Sequence, residues 1–125
     1  MSRDLFEYLP PKIAGVVKGL PDTDFSDLLE IRLRVNQPLQ LVTSSHDIFP
    51  CGPDQEYVKL SKRDMDTAFR LLTGNSVYAV ERQLAEGFIT IPGGQRAGFT
   101  GQAVLETGRI RLIKDINSLN YRITH

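Results

Sequence analysis

A single cysteine, Cys51, and only two histidines, His46 and His125, stand among the 125 residues. One cysteine excludes an internal disulfide and fits a reducing compartment. Neither histidine lies at metal-ligand spacing from Cys51, so the sequence supports no metal site. The start, MSRDLFEYLPPK, has no apolar segment of the signal-peptide kind. No apolar run approaches the roughly 20 residues that cross a bilayer. Net charge is also missing: 15 Lys and Arg balance 15 Asp and Glu, whereas a dedicated nucleic-acid binder carries a basic excess. What remains is the composition of a cytoplasmic globular chain, 41% hydrophobic and 24% charged, of single-domain size over 1–125.

The charge is unevenly spread. Residues 93–125 hold five basic side chains (Arg96, Arg109, Arg111, Lys114 and Arg122) against Glu106 and Asp115, so the first 92 residues are net acidic. The end, SLNYRITH, stops within an alternating pattern, and we expect a longer natural chain.

Hydrophobic periodicity organises the rest. Ser2 can cap a first helical piece with Leu5, Phe6 and Leu9 on one face. Pro10 and Pro11 restart a second, whose stripe is Ile13, Val16, Val17 and Leu20. DTDFSD reads as a turn-rich connection. EIRLRV (30–35) alternates, with Ile31, Leu33 and Val35 opposite Arg32 and Arg34, and NQP turns it into LQLVT (39–43) as a hairpin. A short strand fits 47–49. Ser61 with Asp64 opens a helix in capping-box fashion; Met65, Ala68, Phe69 and Leu72 form its stripe and Gly74 ends it. Asn75 or Ser76 caps a second helix, with Val77, Val80 and Leu84 on its stripe and Gly87 at its end. Period two then returns: FITI, RAGFTGQAVLE, a two-residue TG turn, RIRLIK, and a last strand SLNYRIT. The fold class is α+β: a helical N-terminus, a β-hairpin, two central helices, then an antiparallel β-meander.

One motif tests a function directly. From Gly93 the chain reads G-G-Q-R-A-G-F-T, a phosphate-loop spacing with Phe99 in place of lysine. A phosphate loop must open a helix, whose N-terminus and loop amides hold the anion. FTGQAVLE alternates instead and carries Gly101. Gly93 and Gly94 therefore read as turn glycines, and Gly98 and Gly101 as strand glycines marking a bulge or a close approach. No serine, cysteine or carboxylate constellation suits nucleophilic or acid–base catalysis, so no catalytic residue is expected in this chain. The late arginines are the chemistry that remains, because a guanidinium offers a planar, always charged fork to phosphate oxygens.

The ordered set LEIRLRVNQPLQL, LSKRDMDTAFRLLTGNSVYAVERQLAEGFITIPGGQRAGFTGQAV and GRIRLIKDINSLNYRI, over about residues 28–123, resembles the N-terminal region of the stage III sporulation protein AA family. That family is similar to the hexameric AAA+-like ATPases of type II and type IV secretion and of type IV pili. The resemblance implies a secretion-ATPase N-terminal-domain-like fold and a downstream P-loop ATPase domain that would bind ATP and Mg. This chain itself would hold no cofactor. It also implies a homo-hexamer in the mother cell, at the inner face of the membrane, serving components of the mother cell–forespore channel. It implies that Arg96 and Arg122 reach the nucleotide, as arginines of such N-terminal domains do. Gly98 stands where the wider ATPases often carry another arginine. Two alternatives remain open: a nucleic-acid module using the basic C-terminal sheet with Tyr121 as a stacking group, and a small-ligand sensor domain.

Overall fold

Proline places the first helices. In the computed structural model, which describes residues 4–74, 77–91 and 94–124, Pro10 and Pro21 are both extended and each stands just before a helix. Three short helices result: α1 (Asp4–Glu7), α2 (Pro11–Lys18) and α3 (Asp22–Ser26). The connection expected at DTDFSD is thus a helical turn. Pro21 fixes the entry, and Asp22 and Asp24 in the first turn suit the positive end of the helix dipole. Ser2, expected as a cap, lies outside the described residues.

Strands β1 (Leu28–Arg34), β2 (Gln40–Thr43) and β3 (Asp47–Ile48) follow as antiparallel neighbours. Next come α4 (Lys62–Thr73), α5 (Val77–Glu86), and strands β4 (Phe88–Ile91), β5 (Gln95–Glu106) and β6 (Arg109–Arg122). The capping box at α4 is complete: the Asp64 N–H donates to Ser61 Oγ at 3.1 Å and the Ser61 N–H to Asp64 Oδ2 at 2.8 Å. Burial raises the Asp64 carboxyl, but the Ser61 N–H and the Lys12 ammonium outweigh it and hold the group below its usual value. Gly74 closes α4 at φ 61°, a left-handed cap. Asn75 and Ser76, the expected caps of α5, and the side chains of Val77 and Val80 lie outside what is described.

One six-stranded sheet runs β3-β2-β1-β6-β5-β4. The N-terminal hairpin and the meander are therefore halves of one sheet, joined where β1 pairs with β6 from Glu30↔Arg122 to Arg34↔Ser118. The two last strands expected from sequence are a single strand of 14 residues. Asp115 takes a left-handed φ of 51° and lets the strand shift register without ending it.

Helices α2 and α4 pack on one face of the sheet. Ile31, Leu33, Leu119, Tyr121, Ala97, Ile89 and Ile91 form one core with Ile13 and Val17 of α2 and Met65, Ala68 and Leu72 of α4. Phe69 of α4 meets the Phe99 ring edge-on at 5.3 Å between centroids. Tyr121, wholly buried, donates its hydroxyl to the Tyr8 carbonyl at 2.9 Å and ties the N-terminal segment to the middle of the sheet. No described helix is long and apolar enough to cross a membrane.

Candidate functional site

Alternation sends the other half of each strand to the second face. Glu30, Arg32 and Arg34 of β1, Ser118, Asn120 and Arg122 of β6, Arg96, Gly98 and Thr100 of β5, and Phe88 and Thr90 of β4 are all exposed or half-buried. Register brings Arg96 directly opposite Arg122, with Thr90 beside Arg96 and Glu30 beside Arg122. The two arginines singled out in the sequence are thus cross-strand neighbours, about 5 Å apart at Cα.

Like charges placed directly opposite each other destabilise a sheet, and two devices temper that cost here. The Glu30 carboxylate accepts from Arg32 Nε at 2.8 Å through Oε2 and from Arg122 Nε at 3.4 Å through Oε1. The Arg96 guanidinium lies over the Phe88 ring, 4.8 Å from its centroid, an arrangement that holds a cation while leaving its N–H edges free to donate. Two guanidinium groups thus share the Glu30 carboxylate and a third rests on a ring, leaving an excess of positive charge. In the next row Asn120 stands between Arg32 and Gly98. Its buried Oδ1 has no hydrogen-bond partner. Arg32, Glu30 and Phe88 were not singled out by sequence; Arg32 was legible only as an outward strand residue, because the β1–β6 pairing that makes it a neighbour of Arg122 leaves no local signal.

The glycines separate by cause. Gly93 lies outside the described residues. Gly94, at φ 87°, turns the chain between β4 and β5. Gly98 has room: an added Cβ would meet only the Gly87 carbonyl, at 4.0 Å. Gly101 is crowded, since a Cβ there would stand 2.8 Å from Ile113 Cγ2 and 3.0 Å from the Lys114 carbonyl oxygen. The residues after Gly94 run on as β5, so the sequence from Gly93 opens a strand where a phosphate loop needs a helix.

Tyr121 is buried in the core and cannot serve as a stacking base platform, which removes the one aromatic that the nucleic-acid reading relied on. His46 approaches Asp24 at 3.5 Å, and no group of metal-ligating side chains gathers among the described residues. The arrangement can bind and orient an anion; among the described residues the arginine-bearing face shows no nucleophile paired with a base.

An α+β domain with helices on one face of its sheet and an arginine pair on the other is the class defined so far. Residues 4–125 match the family described as "Sporulation stage III, protein AA", and the chain belongs to that family. It is similar to "Stage III sporulation protein AA" of Bacillus subtilis (strain 168), 28% identical over 120 residues that cover 96% of this chain and 37% of that protein. The chain thus spans little more than a third of that relative's length. No solved structure matches it.

Proposed function

We propose that this chain is the non-catalytic N-terminal domain of a hexameric sporulation ATPase, acting in regulation and assembly, and that its arginine pair contacts phosphate oxygens of ATP held by a downstream P-loop domain. Membership of a sporulation family supports the biological setting. The observation that carries the chemical reading is the placement of Arg96 and Arg122 abreast and exposed on the sheet face opposite α2 and α4. Guanidinium groups so placed suit phosphate oxygens, and their phosphate contacts would strengthen once a second domain excludes water. Magnesium would be held with the nucleotide by the downstream domain. Powering or assembling the mother cell–forespore channel, at the cytoplasmic face of the mother-cell membrane, is the task this reading assigns to the whole protein.

The test compares ATP hydrolysis by the full natural chain with hydrolysis by its Arg96→Ala and Arg122→Ala variants. Turnover should fall at least about tenfold in each, as for loss of a charged group aimed at a transferring phosphoryl, while the melting temperature holds. Unchanged turnover in both would refute the assignment.

A further inference from the structure

Strands of 12 and 14 residues are long for a sheet in which the other four have 2 to 7. The pairing shows why. β1 leaves β6 at Ser118 and β4 leaves β5 at Gly98, yet β5 and β6 stay paired to Glu106↔Arg109. From Gln102 to Lys114 they form a two-stranded arm with no other described strand on either edge. A hairpin of this kind is marginal by itself, and its open edges invite pairing or cover. The base is built with care. Gly101 packs against Ile113 and Ile116, and Asp115, in its left-handed conformation, receives the Lys62 ammonium of α4 at 2.8 Å. That contact holds the Asp115 carboxyl below its usual value. Ile113 still packs against the core, so the arm stands clear of the body only beyond it.

Its surface is that of a contact element. No described side chain from Gln102 to Lys114 is buried, and Leu105, beside Ile110 across the hairpin, is 63% exposed. Residues 102–114 carry Arg109, Arg111 and Lys114 against Glu106. The opposite end of the same sheet is its complement. Residues 22–30 carry Asp22, Asp24 and Asp27, besides the Glu30 already bonded to Arg32 and Arg122, and no basic residue, and among them Leu29 is 41% exposed. α3 leads straight into the start of β1, where Leu28 pairs with Thr43, whereas the arm departs beyond the Arg34↔Ser118 end. Arm and acidic end face away from each other within one copy.

We propose that the arm is an assembly element that docks on a second copy of this chain, setting Leu105 and Arg109 against Leu29 and the carboxylates of α3. Such a contact is head-to-tail and repeats from copy to copy, closing into a ring where the rotation allows. The apolar pair anchors it, and the opposed charges choose this surface over others. It does not depend on the arginine pair or on nucleotide.

The test places a benzophenone cross-linker at Leu105 of the full natural chain and irradiates an equal mixture of nitrogen-14 and nitrogen-15 copies. Adducts within residues 22–30 that join a labelled to an unlabelled copy are expected. Adducts confined to one copy, adducts elsewhere on the neighbour, adducts to co-purified nucleic acid, or none at all would overturn the proposal. A Leu105→Asp, Arg109→Glu variant should weaken self-association about tenfold or more in sedimentation, with an unchanged melting temperature; unchanged association would also overturn it.

Discussion

Replacing Tyr121 with phenylalanine removes one oxygen from the middle of the core. Tyr121 is fully buried between Ile31 and Ala97, and its hydroxyl is donated to a carbonyl 113 positions away, at Tyr8. Burial pushes this phenol well above the usual tyrosine range, so it is a donor at neutral pH. Phenylalanine keeps the ring and its packing and loses the bond. The Tyr8 carbonyl is then left without that donor in a half-buried place, a loss worth about 1–2 kcal/mol. For a chain of this size that is roughly a 4–8 °C fall in melting temperature. Urea unfolding followed by circular dichroism measures it, with a lower midpoint and an unchanged slope. A change below about 0.3 kcal/mol would refute the claim that this bond fastens the N-terminal segment to the sheet, since that is the scale of a neutral surface substitution.

Ser61→Ala removes the side-chain half of the α4 capping box and should cost about 1 kcal/mol, read as a shift in the urea midpoint. Asp64 is held below its unfolded value by net favourable contacts, so its contribution to stability is complete above about pH 4 and is lost as pH falls through its lower folded value. Stability measured from pH 6 to pH 2.5 should therefore drop, and Asp64→Asn should flatten part of that slope. Gly101→Val forces a side chain against the Lys114 carbonyl, which as backbone cannot step aside, and should destabilise by about 1–3 kcal/mol; the same change at Gly98, where an added Cβ has room, should cost less.

Local signals carried most of the elements. Ser61 with Asp64, Gly74, Gly87 and the Thr107-Gly108 turn each announce a boundary through their own chemistry, and all lie where those boundaries fall. EIRLRV shows its two faces by alternation alone. Two features were not legible, for different reasons. α3 is entered through Pro21, favoured by two aspartates and anchored by Phe25 alone, with no apolar stripe to reveal it. The continuity of β6 depends on Asp115 adopting a conformation that few residues other than glycine take, so Asp-Ile-Asn reads as a break. The site was legible in part. Resemblance picks out Arg96 and Arg122 separately, 26 positions apart, while their adjacency depends on register shifts along the β5–β6 hairpin, the Phe88 platform on the β4–β5 hairpin, and the shared Glu30 on the distant β1–β6 pairing. Nothing in the spacing of residues 30, 96 and 122 encodes that register.

The proposed role turns on whether the arginine pair meets nucleotide. ATP turnover should be measured for the full natural chain carrying Arg96→Ala with Arg122→Ala, beside Arg63→Ala, an exposed arginine of α4, as the control for charge alone. The double variant should turn over at least about tenfold more slowly, with melting temperature and oligomeric state held, while Arg63→Ala hydrolyses ATP at the unmodified rate. Equal rates in the double variant and the unmodified protein would contradict the account.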